Sequence, residues 1–179
     1  MLRLIPNAIT LARLCAVPAT VWLILHDSLD LAFFLFAAAG LSDALDGWLA
    51  RRWNAQSPLG AMLDPVADKA LLVCSYLCLG WRDVLPDWLA ILVVFRDVVI
   101  VGGVGLLAVL GQPPRMAPSM LSKCNTVAQI LLAALALATA GFGLPDAGLL
   151  GLLIVVVAVT TTLSGLAYFA QALRRGAAP

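Results

Sequence analysis

Six long apolar stretches, each closed by a short polar break, run along the chain. Residues 1–6 form a short head with Arg3 and Pro6, and the first stretch covers 7–26. Its polar residues Asn7, Thr10 and Arg13 recur at helical spacing and share one broad face. That face has two readings: an interfacial helix start with Arg13 reaching toward headgroups, or the lining of an internal polar cavity. Pro18 is expected to bend this helix. The stretches Leu31–Ala50, Leu59–Trp81, Trp88–Leu110, Met120–Ala140 and Leu149–Leu173 follow. Each is about 20 residues or slightly more, enough for an α-helix to cross a hydrocarbon core of ~30 Å. The pattern predicts an all-α integral membrane protein, six transmembrane helices in one bundle, a single domain over residues 1–179.

Composition agrees. Of 179 residues 63% are hydrophobic and 12% charged, with a mean hydropathy of +1.02, which is the profile of a membrane protein. Asn7, Thr10 and Arg13 interrupt the first stretch where a cleaved signal peptide would be uniformly apolar. The net charge of +1 says nothing of partners, but the placement of charges sets an orientation. With the N-terminus inside, the inner segments carry Arg3, Arg51, Arg52, Arg115, Arg174 and Arg175, and the outer loops carry Arg82 alone. Positive residues collect on the cytoplasmic side, so both termini are expected there, in a membrane of the bacterial inner type.

All ten acidic residues are aspartate. Asp27, Asp30, Asp83, Asp87 and Asp146 fall in the outer loops, and the other five lie within the spans. Asp43 and Asp46 are spaced i, i+3 near the end of the second span, and Asp64 and Asp68 are spaced i, i+4 near the start of the third. Each pair therefore shares a helix face, and both pairs sit at one depth beside Arg51 and Arg52. A carboxylate at membrane depth costs roughly 2.5–3.5 kcal/mol even on the lenient insertion scale. Four together call for compensating charge, and oxygen-seeking divalent cations supply it. Two such ions about 4 Å apart suit an in-line displacement at phosphorus. Gly47 and Gly60 remove side chains where a substrate approaches the backbone. Arg51 has the fork that holds a phosphate, and Asp68 is placed to take a proton from an attacking hydroxyl.

The string Asp43-x2-Asp46-Gly47-x2-Ala50-Arg51-x8-Gly60-x3-Asp64-x3-Asp68 resembles, at every position, the signature of the CDP-alcohol phosphatidyltransferase family. The resemblance implies that Asp43, Asp46, Asp64 and Asp68 bind two divalent cations, Mg²⁺ or Mn²⁺. It implies that Gly47, Arg51 and Gly60 line the site for the CDP group of CDP-diacylglycerol, and that Asp68 doubles as the base. A hydroxyl of the acceptor would attack the phosphorus next to the diacylglycerol and expel CMP. The start Ile5-Pro6-Asn7-x2-Thr10-x2-Arg13 and the continuation Asp64-Pro65-x2-Asp68-Lys69 are similar to the branch making phosphatidylglycerophosphate and cardiolipin. Arg96-Asp97-Val98 and Ser122-Lys123-x-Asn125-Thr126-x2-Gln129 look like its cardiolipin-forming members of the mitochondrial type, with phosphatidylglycerol as acceptor. The alternative acceptor is glycerol 3-phosphate.

Arg96 and Lys123 are read as the spare cations near the cavity, expected at the acceptor phosphate, with snorkelling to the interface the competing reading for Lys123. Arg96 and Asp97 diverge by about 100° on a helix and need not pair, and Asp97 is expected to be structural. A divalent-cation carrier accounts for the acids but leaves Gly47, Arg51 and Gly60 unexplained, and no inverted repeat of the transporter kind is visible. A scaffold that binds CDP-diacylglycerol without turnover is a further alternative. Cys15, Cys74, Cys78 and Cys124 lie in apolar runs without metal-ligand spacing and read as small buried hydrophobes. His26 reads as a solvated loop residue. Trp22, Trp48, Trp53, Trp81 and Trp88 read as interface anchors. Gly102, Gly103 and Gly105 read as a close-packing stripe, suited to a homodimer.

Overall fold

The structure is a computed structural model that describes residues 4–53, 58–109, 120–146 and 148–176; within its helices the side chains of 4–10, 43–53, 58–68, 103–109 and 171–176 fall outside the description. It is built of six helices: α1 (Leu4–Leu25), α2 (Leu29–Trp53), α3 (Pro58–Trp81), α4 (Asp87–Val109), α5 (Met120–Phe142) and α6 (Leu149–Gly176). These match the six apolar stretches, and no strand occurs among the described residues. α1 runs from Leu4 to Leu25 with Pro18 inside it.

The helix ends use local chemistry. The turn after α1 is closed by Ser28 N–H donating to Leu23 O at 3.0 Å and Asp27 N–H to Ile24 O at 3.3 Å. The turn after α3 repeats the arrangement, with Val84 N–H on Leu79 O at 2.9 Å and Asp83 N–H on Gly80 O at 2.8 Å. Both motifs need a left-handed residue just past the helix, and here it is Asp27 (φ 60°) and Asp83 (φ 55°). Arg82 forms an ion pair with Asp27, tying the two turns together.

α1 packs against α2 and α3, α5 against α2 and α6, and α4 against α3 and α6. At one end of the bundle the start of α2 meets the close of α5, where Phe142 packs edge-on against Phe33 and Phe34. Toward the other end, α4, α5 and α6 are joined through hydrogen bonds from Arg96 to Ser122 and Ser164.

The polarity of the bundle is inverted relative to a soluble protein. Arg13, Arg96, Asp97, Asn125, Gln129, Thr161 and Ser164 are buried, while Ile91, Phe95, Val98, Leu152, Val155 and Leu166 are exposed. Large apolar groups facing outward over whole helix faces, with polar groups turned in, mark a membrane protein whose outer surface meets lipid. Among the described residues, Met120–Phe142 and Leu149–Ala170 are long and apolar enough to cross a membrane by length and composition. A lipid-facing surface also corrects the expectation for the cysteines. Cys15 and Cys124 are exposed and Cys74 and Cys78 half-buried, because an apolar exterior accommodates a thiol as readily as the core does. Trp22, Trp81 and Trp88 are exposed near helix ends, and the His26 ring stacks on Trp22 at an exposed turn.

Candidate active site

Asp43, Asp46, Gly47 and Arg51 lie on α2, and Gly60, Asp64 and Asp68 on α3. Their backbones are helical, so the i, i+3 and i, i+4 spacings hold as helix registers; their side chains fall outside the described residues. Asp46 precedes the end of α2 by about 10 Å of helix, and Asp64 follows the start of α3 by about 9 Å, at the ~1.5 Å rise per residue of an α-helix. The two pairs thus stand at similar axial distances from the facing helix ends at Trp53 and Pro58. Among the described residues no group of three His, Cys, Asp or Glu side chains is placed to hold a metal, and the acidic set itself lies outside that description. The donor chemistry of four carboxylates fits a hard, oxygen-seeking divalent cation and not a thiolate- or imidazole-seeking one.

Next to Asp68 the description resumes with a buried charge network. Lys69 Nζ donates to Asp97 Oδ2 at 2.8 Å, and Arg96 Nη1 donates to Asp97 Oδ1 at 2.7 Å. Arg96 Nη2 donates to Ser122 Oγ at 2.6 Å and to Ser164 Oγ at 2.7 Å. Asp97 is 3% exposed and Arg96 5%, so the network joins α3, α4, α5 and α6 inside the bundle. Arg96 and Asp97, expected to diverge along the helix with no need to pair, are in fact ion-paired. Their Cα–Cβ vectors do diverge, but the guanidinium at the end of a long flexible stem bends back to the neighbouring carboxylate. Lys69 and Ser164 are the members that sequence reasoning passed over. Ser164 carries no local signal, and Lys69 had one: a lysine within an apolar span, one residue from an acid.

Lys69 also lines a cavity of about 430 Å³ between α2, α3 and α5. Phe33, Phe36, Leu41, Leu72 and Ile130 give it apolar walls, and Lys69 and Thr126 are its polar residues. Gly40 and Leu41 of α2 also line it, within a turn of Asp43 along the helix. Beside it, α5 and α6 are cross-bonded: Asn125 Oδ1 accepts from Thr160 Oγ1 at 2.7 Å and Thr161 Oγ1 at 2.9 Å. The Tyr76 hydroxyl donates to the Gln129 carbonyl at 3.0 Å.

Of the other residues singled out from sequence, Arg13 is buried at 2% exposure, on a helix packed against both α2 and α3. Asn7 and Thr10 share its helix, with side chains outside the described residues. Lys123 is exposed in the first turn of α5. A Cβ added at Gly102 would meet nothing within 4 Å, so among the described residues that glycine is in no close helix contact; the side-chain surroundings of Gly103 and Gly105 are outside the described residues.

Residues 3–164 match the sequence profile of the CDP-alcohol phosphatidyltransferase family. The chain is 34% identical to a cardiolipin synthase (CMP-forming) of Rattus norvegicus over 92% of its own length and 60% of that relative. It is 42% identical to a cardiolipin synthase (CMP-forming) of Streptomyces coelicolor over 62% of its length and 54% of that relative. It therefore spans little more than half the length of these two. It is also 32% identical to the CDP-diacylglycerol--glycerol-3-phosphate 3-phosphatidyltransferase of Bacillus subtilis, over 93% of its length and 94% of that relative.

Proposed function

We propose, because the chain belongs to the CDP-alcohol phosphatidyltransferase family, that it transfers a phosphatidyl group from CDP-diacylglycerol to phosphatidylglycerol, giving cardiolipin and CMP. The observation that carries the reading is the aspartate series itself. Asp43, Asp46, Asp64 and Asp68 hold matched registers on α2 and α3, within the stretch that matches the family profile. These four carboxylates would hold two divalent cations, Mg²⁺ or Mn²⁺, which when bound neutralise charge on the pyrophosphate. Gly47 and Gly60 leave the helix backbones open to the CDP group, and Arg51 binds a phosphate oxygen through its fork. Asp68 takes the proton of the acceptor hydroxyl. The hydroxyl oxygen then forms a bond to the phosphorus bearing the diacylglycerol, as the bond from that phosphorus to the CMP oxygen breaks.

For the acceptor phosphate we assign Lys123, which is exposed at the start of α5. Arg96 contributes from behind, since Nη1 and Nη2 already serve Asp97, Ser122 and Ser164. Asn7, Thr10 and Arg13 form the face of α1 turned to the carboxylate site, a reading supported by the burial of Arg13 on a helix packed against α2 and α3. All six helices span the membrane, both termini and the site face the cytoplasm, and the membrane is a bacterial inner membrane. Exposed Gly102 suits a homodimer contact.

A second reading uses glycerol 3-phosphate as acceptor, and the end-to-end match to the Bacillus subtilis relative favours it. The cation-carrier reading is tested against both by reconstituting the purified protein with CDP-diacylglycerol and Mn²⁺. CMP release that depends on an added acceptor supports transfer. Metal flux without CMP would contradict it.

A further inference from the structure

We propose that Asp97 is a positioning residue: it holds the Lys69 ammonium at the polar end of the α2/α3/α5 cavity, where that ammonium meets the phosphate of the lipid acceptor. The inference rests on the transfer reaction assigned above and names how its acceptor is recognised.

Charge is the first ground. Lys69, Asp97 and Arg96 bring two positive charges and one negative into a cluster whose Asp97 and Arg96 are almost wholly buried. Among the described residues the cluster keeps one positive charge in excess, which favours an anion beside it, and a phosphodiester carries one negative charge. Access is the second. Arg96 has both terminal nitrogens committed inside the protein, whereas the Lys69 side chain keeps 30% of its surface exposed and lines the cavity. Only the ammonium is both held and reachable, with two of its three protons left after the bond to Asp97.

Place is the third ground. Lys69 directly follows Asp68 on α3, its Cα about 3.8 Å along the chain, so the phosphate it holds lies near the proposed base. The donor pyrophosphate would be met at the aspartates and Arg51. Lys123, assigned above to the acceptor phosphate from the exposed start of α5, does not line the cavity, so Lys69 is the cation that reaches the same phosphate from inside it. Apart from Thr126 the remaining walls are apolar, which matches an acceptor carrying acyl chains and not a small water-soluble one. Asp97 serves this arrangement by fixing a long, flexible side chain that would otherwise sample many rotamers.

The test measures CMP release in mixed micelles, varying phosphatidylglycerol at saturating CDP-diacylglycerol and then the reverse. Lys69→Met should raise KM for phosphatidylglycerol about tenfold or more and leave KM for CDP-diacylglycerol within about twofold. Lys69→Arg should stay close to wild type. Asp97→Asn should raise the same KM, Asp97→Glu should recover part of it, and the double variant should be no worse than Lys69→Met, because the two act as one unit. Elution as a single species checks folding, and should Asp97→Asn not fold, the two Lys69 variants decide alone. An unchanged phosphatidylglycerol KM in Lys69→Met, a rise confined to CDP-diacylglycerol, or Lys69 and Asp97 effects that multiply would each overturn the proposal. Wild-type protein that releases no CMP with phosphatidylglycerol would instead overturn the reaction, and this inference with it.

Discussion

Gly141 of α5 passes so close to Asp30 of α2 that a Cβ at position 141 would lie 2.5 Å from the Asp30 backbone nitrogen and 2.7 Å from the Leu29 carbonyl carbon. The obstacle is backbone at the start of a helix, which cannot turn aside as a side chain does. The contact fixes the end of the bundle opposite the buried charge network, and it sets the spacing of α2 and α5 along the cavity between them.

Gly141→Ala is therefore expected to push the two helices apart and destabilise the fold by about 1–3 kcal/mol, the usual cost of overpacking. Gly102→Ala, inside α4 with open space around it within the chain, should not destabilise the fold, since alanine is favoured over glycine in a helix interior. Thermal unfolding of both variants in the same detergent checks the pair. Equal midpoints would show that α2 and α5 do not approach as closely as described.

Removing Arg96 strips Asp97 of one partner and leaves Ser122 and Ser164 without their common donor. Breaking a buried ion pair costs roughly 3–5 kcal/mol, and Arg96→Met should fall toward the lower end because Lys69 still neutralises Asp97. Ser164→Ala removes a single hydrogen bond to a charged group and should cost about 1.5–3 kcal/mol. Unfolding midpoints of the two variants should rank in that order.

Asp68→Asn keeps size and shape but cannot accept the acceptor proton or match a carboxylate as a ligand. CMP release should fall by at least the roughly 10²–10⁴-fold typical of a lost general base. Asp43→Asn should be equally inactive through loss of a ligand alone. Both should retain wild-type elution, since the described bonds of the buried network run from Lys69 through Asp97 and Arg96 to Ser122 and Ser164.

Chelation gives an independent handle on the same four residues. Treating the protein with EDTA should abolish CMP release, and adding Mg²⁺ or Mn²⁺ in excess should restore it. The Asp43→Asn variant should need a higher metal concentration or fail to respond. Full activity after exhaustive chelation would contradict the role given to the aspartates.

Helix positions were legible from the sequence because each helix is a long apolar run closed by polar residues: the apolar stretch Trp88–Leu110 became Asp87–Val109, and Leu59–Trp81 became Pro58–Trp81. The aspartate series was legible because its spacing is local. The Lys69–Asp97–Arg96 network was not, since it depends on which faces of four helices meet, and helices that are apolar almost all round carry little periodic signal for that. Ser164 illustrates the point: it lies 68 residues from Arg96 and bonds it directly. The cysteines misled for a related reason, as apolar neighbours in sequence mean burial in water but not in lipid.

The most direct measurement identifies the lipid made by the purified protein from CDP-diacylglycerol and Mn²⁺, with phosphatidylglycerol and glycerol 3-phosphate supplied in separate reactions and products weighed by mass spectrometry. Cardiolipin from phosphatidylglycerol, with an equal amount of CMP, is the expected result. Phosphatidylglycerophosphate formed from glycerol 3-phosphate, with no cardiolipin from the lipid acceptor, would contradict it.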